Sequence, residues 1–291
     1  MTYSIVARDP ETGALGVGVQ THQPSVGAIV PWAKAGVGAV ATQSFANINF
    51  GPQGLALLES GLPAGRVLAA LVAADTMEER RQVAVIDDTG TAAVHTGREC
   101  IPFAGHVIGT GFSTQANMMA LEGVPEAMAE AFSGAAGPLA ARFMIALEAA
   151  QAAGGDIRGS QSAAILVREP GPLSATWDLR IDNSRDPLGD LRALLNIRLA
   201  GVALAESRIP DSASLTAAMA AYEEACRLAS SDEQTFWFAV NTLTRIGQEG
   251  KAEELLRDLF AHSPQWQELL MRLTLPGALT LKPRFAPAQA P

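Results

Sequence analysis

The chain has 291 residues, 48% of them hydrophobic and 18% charged, with a formal net charge of -9. That composition supports a packed core and argues against disorder. The acidic balance and the lack of a basic stripe argue against nucleic acid and anionic membrane surfaces, which both need a positive field.

In chain order, YSIVA at 3–7 is β-branched and apolar, as a strand requires, and DPETG supplies Pro, Asp and Gly for a turn. ALGVGVQTH reads as the returning strand of a hairpin. Its Gly16 and Gly18 share one face, so something packs or binds close to the backbone there. SVGAIVPWAKAGVGAVATQS is a pair of short apolar segments broken by Pro31 and Gly36. In the next stretch Leu55, Leu58 and Leu62, then Val67, Leu68, Leu71 and Val72, recur at helical spacing and predict two helices. QVAVIDDTGTAAVHTG is a second hairpin turning on DDTG. GHVIGTGFSTQANMM is a strand with a Gly-flanked turn. VPEAMAEAFSG and GPLAARFMIALEAAQAAG are helices, SQSAAILVRE and TWDLRIDN strands, and DPLGDLRALLNIRLAG a helix.

Strands come in antiparallel hairpins and helices in pairs. The fold class is therefore α+β, with two sheets held between helical layers, and a doubly wound parallel sheet is rejected. After about residue 208 the character changes. RIPDSAS is a polar joint, and Leu215 to Leu275 reads as all helix in tetratricopeptide-like units: Ala221, Tyr222 and Ala225, then Phe236, Trp237, Val240 and Leu243, then Ala252, Leu255, Leu256 and Leu259. LKPRFAPAQAP reads as a disordered tail.

Cys100 and Cys226 give neither metal spacing nor a disulfide framework, which suits a reducing cytoplasm. His22, His95, His106 and His262 form no metal-binding spacing, so no metal and no cofactor is expected. No apolar run reaches the roughly 18 residues of a membrane span, and the first residues do not read as a signal peptide.

Thr2 follows Met1, and a small second residue favours removal of the methionine. The expected mature chain starts at Thr2, with a hydroxyl nucleophile and a free α-amine on one residue. Polar side chains gather in the turns: Gln43, Asn47 and Asn49, then Gln115 and Asn117, then Ser160 and Gln161. Asn and Gln offer both donors and acceptors, which suits a small amide or ureide, while capping and turn filling are their ordinary roles. Cys100 and His106 suggest a thiol–imidazole pair, although free Cys is usually a buried hydrophobe. Asp178, Arg180 and Asp182 share one strand face as an ion-pair ladder.

TYSIVARDPETGALGVGVQ, VPWAKAGVGAVATQSFAN, the QVAVID hairpin, GRECIPFAGH, TQANMM, GGDIRGSQSAAILV and WDLRID together resemble the DUF1028 family over roughly residues 2–200. That family is classed with the N-terminal nucleophile (Ntn) hydrolase fold. The resemblance implies a four-layer αββα Ntn-hydrolase-like sandwich at 2–205, a small all-α domain at 211–277 resembling the TPR-like, peptidoglycan-binding appendage of some members, and a disordered tail at 278–291.

The wider resemblance is to proteasome-type β subunits. It implies Thr2 as nucleophile, with Gln20 or Thr21 where those enzymes carry an aspartate, and with Lys34 near their lysine. It also implies oxyanion donors in ATQS or GTGFS, Thr110 in a Gly-flanked hydroxyl turn, and Asp156 and Ser160 orienting the terminal amine. Arg158 supplies positive charge if Lys34 does not. An α-amine ordinarily titrates at about 7.7–8.0, so it is partly neutral near pH 7 and able to take the hydroxyl proton.

The expected function is hydrolysis of a small-molecule amide or ureide by catalytic Thr2, Asp156 and Ser160, with Gln43, Asn47, Gln115, Asn117 and Arg158 binding substrate, in a cytoplasmic homodimer. The alternative is a non-catalytic ligand- or partner-binding protein of the same fold, whose helical domain is the interaction module.

Overall fold

The computed structural model describes residues 2–171, 176–206 and 215–286. The fate of Met1, the whole of the expected joint and residues 287–291 of the expected tail lie outside them. The described chain is mixed α/β, with two antiparallel sheets and ten α-helices. It divides into two compact units, Met1–Arg192 and Ala193–Pro291.

The first unit opens with the hairpin β1 (Thr2–Arg8) and β2 (Leu15–Thr21), in register from Thr2↔Thr21 to Arg8↔Leu15. Asp9 closes its turn by accepting the Glu11 and Thr12 N–H groups, each at 2.9 Å. Strands β3 (Pro31–Lys34) and β4 (Gly38–Ser44) follow, then helices α1 (Phe50–Glu59) and α2 (Ala64–Ala73). Next come β5 (Arg81–Asp87), β6 (Ala92–Thr96), β7 (Gly105–Gly109), β8 (Phe112–Asn117), α3 (Val124–Gly134), α4 (Leu139–Ala152), β9 (Ser162–Arg168) and β10 (Thr176–Ile181). The larger sheet runs β10-β9-β2-β1-β8-β7 and the smaller β3-β4-β5-β6. Helix α5 (Pro187–Glu206) spans the division between the units.

The two sheets pack on each other, α1 and α2 lie on the smaller sheet, and α3 and α4 lie on the larger. Period-two patterning explains the middle of this stack. Val6, Val17, Val19, Ala39, Ala41, Ala84 and Ile86 point inward and form a dry inter-sheet core. Toward one end of the same faces the inward positions turn polar: Thr2 and Ser4 on β1, Gln43 on β4, Gln82 on β5, Gln115 and Asn117 on β8, all buried. The glycine face of β2 has a packing explanation. A Cβ on Gly16 would lie 2.3 Å from the Leu166 carbonyl oxygen, and one on Gly18 would lie 3.1 Å from Phe143 of α4, so that face admits a helix rather than a ligand. The ladder on β10 forms in part, with Arg180 donating to Asp178 at 2.6 Å.

The second unit holds the C-terminal part of α5, then α6 (Leu215–Leu228), α7 (Ser231–Trp237) running into a π-helical turn at Phe238–Leu243, α8 (Glu249–His262), α9 (Gln265–Arg272) and α10 (Pro276–Phe285). Its core gathers Phe236, Phe238, Leu243, Leu256, Leu281 and Phe285, and Trp237 packs half-buried on that same core. Helix α10 corrects the expected tail at 278–291. Pro276 starts it at the first helical position, where a missing N–H costs nothing. Ala278, Leu281 and Phe285 then fall on one buried face, so Pro-rich composition concealed a helical repeat.

Candidate functional site

The polar end of the inter-sheet core opens into a cavity of about 430 Å³. Strand ends supply its inner wall: Thr2 from β1, Thr21 from β2, Gln43 and Ser44 from β4, Asn117 from β8. The Val26–Val30 segment, the 45–48 loop and Ile101 supply apolar walls, and Arg158 lines it from the loop before β9.

The Thr2 hydroxyl donates to Thr21 Oγ1 at 3.1 Å. The Thr2 carbonyl accepts from Asn117 Nδ2 at 3.3 Å and from Gln43 Nε2 at 3.4 Å. Two amides from opposite sheets therefore hold the residue's backbone. Beneath them lies a continuous amide network. Gln82 Oε1 accepts from Gln43 Nε2 at 2.7 Å and from Asn117 Nδ2 at 2.9 Å. Gln82 Nε2 reaches Thr96 Oγ1 and the Ala116 carbonyl, each at 2.9 Å, and the Gly105 carbonyl at 3.2 Å. Ser4 donates to Gln43 Oε1 at 2.6 Å and accepts from Gln115 Nε2 at 2.6 Å. Both Asn117 N–H groups are thereby engaged, and its buried Oδ1 has no hydrogen-bond partner.

The expected site residues separate in space. Thr2, Gln43, Asn117 and Arg158 line the cavity. Gln115 lies one position deeper, in the network. Asn47 donates instead to Asp75 Oδ2 at 3.1 Å. Ser160 is half-buried and outside the lining. The buried serine in that segment is Ser162, which donates to the Gln23 carbonyl at 2.5 Å and accepts the Val26 N–H at 3.1 Å, fixing the cavity's apolar segment. Asp156 is wholly enclosed: Oδ1 takes the Arg158 N–H and Nε, and Oδ2 takes Arg158 Nη2 and the His22 N–H. It acts on the cavity through the guanidinium it orients.

Other expected positions fall elsewhere. Lys34 sits at the far end of β3, paired with Glu59 at 2.5 Å. Thr110 is in the β7–β8 turn, where Arg8 N–H meets the Gly111 carbonyl at the opposite end of β1 from Thr2. Cys100 Sγ donates to the Arg81 carbonyl at 3.4 Å, and burial pushes its thiol pKa up. His106 Nδ1 meets Thr96 Oγ1 at 2.9 Å, and burial, then His95, hold its pKa down. These contacts leave no thiol–imidazole pair. Among the described residues no cluster of three metal-ligating side chains occurs, and no helix is long and apolar enough to cross a membrane.

The rim carries a clamp that the residue types alone did not disclose. Asp75, almost enclosed, accepts Arg81 Nε at 3.0 Å and Nη2 at 3.2 Å, Asn47 Nδ2, and the Met77 N–H at 2.7 Å. Arg81 also donates to the Phe45 carbonyl. Asn47 and Arg81 thus pin the 45–48 loop. Burial alone would raise the Asp75 carboxyl, and the bonds from Arg81, Met77 and Asn47 outweigh it and hold the pKa below the ordinary carboxylate value. Just before the loop Ser44 has φ +65°, a left-handed conformation uncommon outside glycine, which turns the chain at the cavity wall.

A family model described as "Family of unknown function (DUF1028)" matches residues 2–191. The chain is similar to protein SPO2555 from Silicibacter pomeroyi, whose crystal structure carries the same family model. The two share 33% identity over 67% of this chain and 84% of that one, with a TM-score of 0.63. Anbu (ancestral beta-subunit) from Yersinia bercovieri matches at 11% identity over 69% of this chain and 96% of that one, with a TM-score of 0.33. No curated protein matches.

Proposed function

The chain belongs to the DUF1028 family, and we propose that it is an amide hydrolase of Ntn type with Thr2 as nucleophile. In this reading the first unit is a four-layer αββα sandwich and the second a TPR-like helical module. One observation carries the proposal: the Thr2 hydroxyl lies on the wall of a cavity of about 430 Å³, with its backbone held by Gln43 and Asn117.

The chemistry requires Met1 to be removed. The freed α-amine then takes the Thr2 hydroxyl proton as Oγ1 attacks the amide carbonyl carbon. The turn at Ser44–Ala46, which borders the cavity, holds the oxyanion through its remaining backbone donors, the Phe45 N–H being bonded to the Arg80 carbonyl at 3.3 Å. The C–N bond breaks, the proton passes to the departing nitrogen, and the acyl group stays on Thr2 as an ester. Water cleaves that ester, releasing a carboxylic acid and restoring hydroxyl and amine. Asn117 Oδ1, adjacent in register to Thr2 and unpartnered, is the acceptor for an N–H of the freed amine.

The test pairs the intact mass of protein purified from its native host with amine release from a panel of small amides and ureides. Retention of Met1 at full occupancy sinks the mechanism, as does turnover that survives Thr2→Ala.

A second reading has its own support. Gln20 or Thr21, the latter beside Thr2, stands where the resemblance expects a carboxylate, and Lys34 is tied to Glu59 away from the cavity. A ligand-binding protein of this fold needs neither charge. Saturable binding without turnover by Met1-free protein selects that reading.

A further inference from the structure

We infer that the cavity takes a ligand that carries a carboxylate, an amide and an apolar group, such as an N-acyl amino acid. This rests on the cavity described above and deepens the amide-hydrolase reading by naming its substrate class.

Arg158 supplies the charge. It lines the cavity, whereas Asp156, which orients it, does not. The Asp156 side chain is 0% exposed and that of Arg158 is 29% exposed. All of the Asp156 contacts that hold this pair come from the protein side: Arg158 N–H, Nε and Nη2, and the His22 N–H. An incoming anion therefore meets a fixed guanidinium before it meets the carboxylate. Asp156 takes the Nε–Nη2 edge of the guanidinium, and the cation it fixes attracts a carboxylate with little side-chain entropy left to lose on binding. Arg158 is the charged residue among those lining the cavity.

The same cavity has an exposed apolar lining. Phe45 is 51% exposed, Ile48 48% and Ile101 39%, and all three border the cavity. Val26 and Ile29 continue this wall inward. Side chains of this size left in water gain free energy when a ligand covers them. The loop bearing Phe45 and Ile48 is clamped by Asp75, so the surface is preformed rather than collapsible. Thr2, Gln43 and Asn117 line the same cavity and are suited to an amide. About 430 Å³ is within the range of small-molecule sites and holds an acylated amino acid of modest size.

The test is calorimetric binding to full-length Thr2→Ala protein, which removes turnover and leaves Arg158 in place. The probes are N-acetyl-leucine, its neutral carboxamide, and N-acetyl-glycine. N-acetyl-leucine is expected to bind about tenfold tighter than the carboxamide, the equivalent of one charge-assisted hydrogen bond. It is also expected to bind several-fold tighter than N-acetyl-glycine, since the leucine side chain covers apolar wall. Arg158→Gln should abolish the first preference and keep the second, and Arg158→Lys should restore part of the first. Asp156→Asn keeps the cation and should retain a charge preference, which separates lost charge from lost fold. Equal binding of acid and carboxamide overturns the inference. So does a charge preference that survives Arg158→Gln, or no binding of any probe at millimolar concentration. Binding of the expected rank without hydrolysis by the Met1-free wild type supports the ligand class and defeats the Thr2 mechanism, so the two failures are distinguishable.

Discussion

Gln82→Leu tests the claim that the amide network, and not the cavity-lining residues alone, sets the site. Leucine has similar bulk and no polar atoms. The substitution removes the acceptor that Gln43 Nε2 uses at 2.7 Å and Asn117 Nδ2 at 2.9 Å. Gln43 keeps longer alternatives, at 3.4 Å to the Thr2 carbonyl and 3.3 Å to the Gln115 carbonyl, and loses about 1 kcal/mol. Asn117 has its other N–H on the Thr2 carbonyl, so the N–H that used Gln82 is left buried without an acceptor, at roughly 1–3 kcal/mol. The Ala116 carbonyl loses a donor at 2.9 Å inside the sheet, another roughly 1 kcal/mol. The expected loss is about 3–5 kcal/mol, confined to the first unit. The assay is native-state hydrogen exchange resolved by mass spectrometry, comparing peptides from β4, β5 and β8 with peptides from α8 as an internal reference. Gln82→Glu sharpens the test. It keeps an acceptor toward Gln43 and Asn117 and turns the donor into a carboxylate oxygen facing the Ala116 and Gly105 carbonyls. Ionisation is then disfavoured in the folded state, so the folded pKa rises above the unfolded one. The variant should therefore recover stability as pH falls through that raised value. A Gln82→Leu protein within about 0.5 kcal/mol of wild type, or a Gln82→Glu protein whose stability falls on mild acidification, refutes the reasoning.

Thr2→Ala should lower kcat by several orders of magnitude and leave exchange protection of the sheets unchanged, Thr2→Ser should retain part of the activity, and one residue added before Thr2 should match Thr2→Ala; amine release measures all three. Asp75→Asn should speed exchange at 44–49 and weaken binding of N-acetyl-leucine at pH 7. Because the Asp75 pKa is depressed in the fold, its clamp is fully present above the unfolded value of about 3.9 and is lost as pH falls through the lower folded value, so wild-type exchange at 44–49 should rise only in that acid window. Phe285→Ala should cost the second unit roughly 3–5 kcal/mol, because the ring is buried against Phe260 with centroids 5.0 Å apart; urea unfolding followed by Trp237 and Trp266 fluorescence reads it, and an unchanged midpoint would show that α10 is not part of that core.

Much of the architecture was legible because it rests on periodicity. The hairpins at 2–21 and 81–96 follow from alternation plus turn chemistry, and DDTG turns where expected because Asp87 Oδ1 accepts the Thr89 and Thr91 N–H groups, each at 3.1 Å. The helix pairs follow from leucine spacing. The candidate site was legible only in part. Gln43 and Asn117 were visible as polar residues at strand ends. Asn47 has the same residue type in the same loop, yet it serves Asp75, a partner 28 positions away that local sequence does not announce. Gln82 carried a readable signal, since RQVAVID reverses the pattern of GAVATQS, an apolar run with an amide one position in from one end. Ser160 and Ser162 lie two apart in GSQSAA and would share a face if one strand held both, but β9 begins only at Ser162, paired with Thr21, and leaves Ser160 in the loop before it. The α10 helix was hidden because proline at its start and at Pro283 looks like tail composition, while proline at the first turn is compatible with a helix.

The division of the inter-sheet core bears on how site and fold coexist. Its aliphatic part contributes cohesion through Val6, Val17, Val19 and Ile86 without polar obligations. Its polar part contributes little net stability, since each buried amide mostly recovers its own desolvation. A core this size does not need Ser4, Gln43, Gln82, Gln115 and Asn117 to fold; apolar residues of similar volume would satisfy the packing as well. What the amides supply is orientation. Gln82 dictates which amide face Gln43 and Asn117 present, those two fix the Thr2 backbone, and Thr2 is the residue that meets the cavity. A hydroxyl held by such a chain is preorganised without contributing to cohesion itself, and placing it at the polar end leaves the aliphatic core intact.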